Sequence, residues 1–227
     1  MRKFLSVLGL LGVMATPSFA RANDLATDTS DPLFLQSIEE ILTQSSISYW
    51  DHILGMGQSL SYGMNNRLAI GANVRYQHDF NGPEDGFAAV DLGGVYRMGT
   101  ADDNDSHIIS DVLFGFKFGG SHRVRTPDYA DSTYYVGLRM GRQWAGMTLA
   151  ATIKSTWVFD DTRGVAFLDF SPESYFRIAS DWSIGAGLTI RKATHKDIQT
   201  GKDYDQEWLH FKVVRQYGRT QYIGHVD

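Results

Sequence analysis

Between Arg67 and Phe80 the chain reads RLAIGANVRYQHDF, and alternate positions separate into two lists. Leu68, Ile70, Ala72, Val74, Tyr76, His78 and Phe80 form one; Arg67, Ala69, Gly71, Asn73, Arg75, Gln77 and Asp79 form the other. A period of two is the signature of a β-strand, whose successive side chains leave opposite faces of the pleat. The same alternation recurs in 108–119, 133–143, 147–159 and 182–193. It predicts ten strands, at 42–51, 53–64, 67–80, 87–98, 108–119, 133–143, 147–159, 165–178, 182–193 and 207–217. Turn chemistry separates them, as in NN at 65–66, NGPEDG at 81–86 and DDTRG at 160–164. Pro172 implies a bulge or a break in the strand that holds it. Ahead of the strands, DPLFLQSIEEIL offers Asp31 as an N-cap and Pro32 in a first turn, the start of a short helix or of an extended segment.

Alternation alone does not say which face sees water. In a soluble sandwich or lipocalin-like barrel the apolar face points inward. A transmembrane barrel inverts this, with apolar residues toward lipid and polar residues lining the lumen. Two features favour the inverted arrangement. Trp50, Tyr76, Tyr96, Trp144, Trp157, Trp182 and Trp208 fall near predicted strand ends, where amphipathic rings would form girdles at two membrane–water boundaries. Connections also alternate in length, tight at 65–66, 144–146 and 180–181 but long at 120–132 and 194–206, although 99–107 and the first hairpin break the pattern.

The N-terminus adds a compartment. Arg2 and Lys3 precede the apolar run FLSVLGLLGVMA, and Ala20-Arg21-Ala22 fits a cleavage site, so residues 1–22 read as a secretory signal peptide. Its removal takes Arg2, Lys3 and Arg21 away and moves the net charge from −5 to −8, which gives no reason to expect nucleic acid as a partner. With no Cys in 227 residues, disulfides, thiol nucleophiles and thiolate metal sites are excluded together.

The hairpins QSLSYGMNNRLAIGANVRYQHDF, YYVGLRMGRQWAGMTLAATIKSTWVF and SPESYFRIASDWSIGAGLTIRKA resemble the strand–turn–strand units of small Gram-negative outer-membrane β-barrel proteins. The resemblance covers most of 42–217 and implies insertion into outer-membrane lipid by the barrel assembly machinery. Such barrels usually close on an aromatic residue, whereas here the last residues read RTQYIGHVD. The assembly signal is then internal, in EWLHFKVVRQYG, or the chain is truncated, or it continues into another strand, so the count ranges from 8 to 12. The expected organisation is a signal peptide at 1–22, a periplasmic tail at 23–41 and an all-β, antiparallel transmembrane β-barrel of about ten strands over 42–227.

The expected lumen lining is Arg67, Asn73, Arg75, Asp79, Asp91, Arg97, Asp111, Lys117, Arg139, Lys154 and Arg191. Cations outnumber carboxylates there, which favours small anionic solutes in a channel or transporter-like protein. Cross-lumen ion pairs would instead plug so narrow a barrel, leaving a closed structural or adhesive envelope protein that presents 120–132 and 194–206 to a partner. A third reading, an outer-membrane hydrolase, would place His52, His78 and Asp79 at the rim; neighbours on a strand point to opposite faces, which weakens those residues as dyads. None of the seven His pairs with another at metal-ligand spacing, and neither a metal nor a cofactor is implied. ADDNDS at 101–106 reads better as a polar turn than as a cation loop.

Overall fold

A computed structural model of the full chain describes residues 12–14, 31–50, 53–81, 86–99, 108–119, 132–144, 146–159, 166–194, 205–217 and 220–226. It is all-β, with strands β1 (Gly12–Met14), β2 (Ile41–Trp50), β3 (Ile53–Asn65), β4 (Leu68–Asp79), β5 (Gly86–Gly99), β6 (Ile109–Gly119), β7 (Thr133–Trp144), β8 (Met147–Val158), β9 (Ala166–Arg177), β10 (Trp182–Ala193), β11 (Gln206–Tyr217) and β12 (Thr220–Val226). They make one antiparallel sheet of 12 strands in which each strand from β2 to β12 pairs with its neighbours in sequence. The ten predicted strands correspond to β2–β11. The additional ones are β12, a further strand in the last residues, and β1, which lies inside the stretch expected as a signal peptide. β1 pairs with β12 and lies against β2, with no ladder to β2 among the described residues. No helix of the described residues is long and apolar enough to cross a membrane.

The sheet curls, because residues from β3 to β10 line one common cavity. Its two faces differ sharply in exposure. Leu60, Leu138, Ile153, Leu209 and Phe211 are all more than half exposed on the outer face. Asp111, on the inner face, is completely buried, and Asp169, Gln77, Thr133 and Thr148 nearly so. Side chains paired across a ladder share a face, so Arg97, Asp111, Arg139 and Thr152 form one inward row over β5–β8.

Pro172 stays in register with Ala151 on β8. On the β10 side the ladder runs from the Gly187–Glu173 pair to the Ile190–Phe170 pair without pairing Pro172 or Ser171. Proline has no N–H to give, and the gap is bridged instead by the hydroxyls of Ser171 and Thr189 at 2.9 Å. The expected disruption is therefore a break and not a bulge. Register shifts occur elsewhere, at Gly63/Asn65, Arg75/Tyr76 and Arg97/Gly99.

Residues 31–40 form a strap across the inner face. The helix start forms one turn only: Leu33 N donates to Asp31 Oδ1 at 2.8 Å and Phe34 N to Asp31 O at 3.0 Å. Beyond it the chain extends, and no helix follows. The interior reads this segment through Leu33 and Gln36, which are buried, while Ile38 and Ile41 are exposed. Asp31 Oδ2 accepts from Thr148 Oγ1 at 2.6 Å and from Gln143 Nε2 at 3.1 Å. Leu33 packs with Ile109 and Ala150, the principal apolar cluster of the interior. The Leu33 carbonyl accepts from Arg97 Nη2 at 2.6 Å, and Gln36 donates to Ser61. The strap thus passes from β7 and β8 to β3. It turns into β2 through Glu39, whose φ of 60° is unusual for a side-chain-bearing residue and is held by its N–H bond to Gly63 O at 2.9 Å.

Leu33→Ala truncates a strap side chain that is only 1% exposed and is expected to cost about 2–5 kcal/mol. A fall in the urea midpoint of the folded protein measures it.

Candidate functional site: a basic cavity

The interior is organised around two carboxylates. Asp111 accepts from Arg97 Nε at 2.8 Å on one oxygen and from Arg139 Nη2 at 2.6 Å on the other. Strands β5, β6 and β7 deliver these three residues as direct cross-strand partners. Asp169 on β9 accepts two bonds from Arg191, at 2.7 and 3.0 Å, and lies 3.4 Å from Lys154 Nζ. The Arg191 guanidinium also lies 4.8 Å from the ring centroid of Phe167 and 5.5 Å from that of Trp208. A parallel pair, Lys212 and Glu173, stands at 3.7 Å.

Beside the strap and these ion pairs lies a cavity of about 560 Å³. Arg75, Lys117, Lys154 and Arg191 line it, with Asp91 the one carboxylate in the wall, and Gln36 of the strap borders it. Asp91 lies in the field of Lys117, Arg75 and Lys154. Its Oδ1 is buried with no hydrogen-bond partner. Tyr135 lies across the wall where β5 and β6 each present a glycine, since a Cβ at Gly93 or Gly115 would collide with its ring. Here the absence of a side chain serves close approach.

Of the expected lining, Asn73, Arg75, Asp91, Lys117, Lys154 and Arg191 meet at the cavity, while Arg97, Asp111 and Arg139 form the cluster beside the strap. Arg67 departs from expectation. It sits exposed in the turn before β4, where its N–H bonds to Asn65 Oδ1 at 2.8 Å. Asp79 ends β4 and accepts from Asn81 N at 2.9 Å. His78 contacts Phe80 edge-on at 4.7 Å.

The aromatic residues divide the same way. Tyr96, Trp144 and Trp182 are exposed on the outer face at the tight-turn end. At the long-loop end Trp157 stacks on Tyr134 at 4.8 Å and Tyr76 meets Phe87 at 5.8 Å. Trp208 departs from its expected girdle position: it pairs with buried Thr189 and faces inward, against Arg191. Trp50 ends β2 opposite Ile53. His52, loop 120–131, residues 195–204 and the acidic stretch 101–106 lie outside the described residues.

Sequence reasoning missed Asp169, Glu173, Tyr135 and Lys212. In 166–177 both parities hold aromatic residues, so hydrophobicity does not separate the faces; the acids Asp169 and Glu173, two positions of one parity, are the signal that does. Among the described residues no cluster of three or more metal-ligating side chains occurs. No protein family matches the chain, and nor does any curated protein.

At the long-loop end, Asp205 ties the start of β11 back to β10. The Lys192 ammonium, at 2.8 Å, holds its carboxyl below the usual carboxylate range, assisted by the Ala193 N–H at 2.9 Å. A lowered folded value places the gain above the ordinary carboxylate pKa, and it is lost as pH falls through the lowered one. This tie therefore holds at neutral pH.

Asp111→Ala leaves two arginines in the interior without their shared carboxylate. Breaking a buried pair in this way is expected to cost about 3–5 kcal/mol, and adding Arg139→Leu should recover part of it. Equilibrium unfolding of the single and double variants measures both.

Proposed function

We propose that this protein is an outer-membrane β-barrel that admits small anionic solutes to a basic lumen, as a channel or transporter-like protein. The supporting observation is the inversion of its faces: Leu138 is 51% exposed while Asp111, on the neighbouring strand and the opposite face, is 0% exposed. An apolar surface running over so many strands is a liability in water and an asset in hydrocarbon. Strands of 10–14 residues over β2–β11 suit a tilted crossing of a bilayer, for which about 9–11 are needed. Exposed rings at both ends suit the two interfaces.

Spanning requires closure, because an open edge in hydrocarbon leaves backbone groups unpaired at several kcal/mol each. Twelve strands permit an all-antiparallel cylinder, with β1 already lying between β12 and β2. Export through a cleaved leader at 1–22 would remove β1. β2 and β12 point the same way, so closing them directly requires one parallel pair.

A second reading, a closed structural barrel, draws on the strap and on the ion pairs that fill the interior. Steady conductance of the purified protein in planar bilayers favours an open channel; its absence favours a transporter-like or a closed barrel, which anion binding then separates.

Membrane placement is tested apart from transport. Leu138→Arg puts a cation on the outer face in mid-strand and is expected to hinder folding into vesicles by about 2–4 kcal/mol, whereas Asn73→Arg, lining the cavity, should be mild. Equal tolerance of both, or recovery of the wild-type chain in the soluble fraction, contradicts the placement.

A further inference from the structure

We propose that the lumen is a blind-ended binding cup for a small multivalent anion, its floor made by the strap of residues 31–40. The inference rests on the membrane-barrel reading and replaces free passage with binding.

The strap closes the side nearest the tight turns. It is anchored at three separated points of the wall: Asp31 on Thr148 and Gln143, Leu33 between Ile109 and Ala150 and under Arg97, and Gln36 on Ser61. The wall is shaped to receive it. At Gly63 a Cβ would strike the carbonyls of Ser37 and Gln36, and at Gly141 it would crowd Leu33 Cδ1 as well as β8. Gly63 also exchanges backbone bonds with Glu39 and Glu40, at 2.9 and 3.0 Å. A tail merely resting in a mouth would need neither the glycines nor the buried Leu33.

Above the floor, the cavity is the right size for a small molecule, within the range of about 300–1,000 Å³ typical of ligand sites. Its wall brings four cations, Arg75, Lys117, Lys154 and Arg191, against Asp91, with Asp169 engaged behind Lys154 and Arg191. The surplus of positive charge calls for a ligand with more than one acid group, carboxylate or phosphate. Ser59 and Ser61 of β3 and Asn73 of β4 add neutral polar groups to the lining. Access is from the long-loop end, since the strap occupies the other.

The test uses the full chain folded in detergent micelles, with barrel formation checked by heat-modifiable gel migration. Citrate and inorganic phosphate are titrated calorimetrically, with glucose as the neutral control. Expected are saturable one-site binding of citrate or phosphate, none of glucose, and weakening by about tenfold or more in Lys117→Gln and Arg75→Gln. Citrate alone points to carboxylates, and phosphate alone to phosphorylated solutes. A heat-modifiable protein that binds neither anion overturns the cup while leaving the barrel intact; a protein with no such migration overturns the barrel itself.

The floor is tested in planar bilayers, where the wild type should pass no steady current and Gly63→Val, which expels the strap, should open it. If that variant does not fold, Asp31→Ala with Leu33→Ser removes two anchors without altering strand backbones. Wild-type conductance equal to that of a folded strap variant overturns the floor, as does a strap variant that stays closed.

Discussion

The structure depends on one continuous hydrogen-bonded ladder whose side chains alternate without slipping. A shift of a single residue would turn Asp111 and Asp169 outward and Leu138 and Ile153 inward. The ion pairs fix that register from within. Asp111 meets its two arginines as cross-strand partners, and Asp169 meets Lys154 and Arg191 in the same way. Buried charges of this kind add little net stability over an apolar core, but a misregistered sheet would strand them unpaired, so they discriminate strongly among registers. Two of the three register shifts lie away from the clusters, and the third, at Arg97/Gly99, begins only after the Arg97–Asp111 pair is made.

Strand positions were legible because the period of two is strong wherever polar and apolar residues alternate cleanly, as in β4, β6, β7, β8 and β10. Arg75, Asp91, Lys117, Lys154 and Arg191, which line the cavity, fall on the polar parity of their strands. Legibility failed where parity carried no contrast. Trp208 looked like a girdle ring because it sits near a strand start, yet its ladder partner Thr189 faces inward. Arg67 shares the parity of Arg75, but it belongs to a turn whose geometry is set by Asn65 and not by the strand. The strap was legible only as a helix start. Asp31 and Pro32 do make the first turn, but the path of the segment is decided by partners remote in sequence, Thr148, Gln143 and Arg97 at its start and Ser61 and Gly63 beyond it, which no local pattern encodes.

The strap changes what the basic lining can do. Arg97 connects the two halves of the interior, giving one nitrogen to the Leu33 carbonyl and sharing Asp111 with Arg139. The segment that crosses the inner face is therefore hydrogen-bonded into the same network that sets the sheet register. Displacing it leaves Arg97 short of an acceptor, a cost that favours the closed arrangement until something repays it. In the proposed reading, a cation-rich cavity beside a strap so anchored suits anion binding better than free passage.

The central claim, that the apolar face meets acyl chains, is tested most directly by a spin-label scan along β7 from Tyr134 to Met140 in lipid vesicles. Single cysteines are easily introduced, because the chain has none of its own. Collision with dissolved oxygen, which concentrates in hydrocarbon, should peak at Tyr134, Val136, Leu138 and Met140 and fall at Tyr135, Gly137 and Arg139. Uniform access to a water-soluble relaxer at all seven positions, or oxygen maxima on the odd ones, would contradict it.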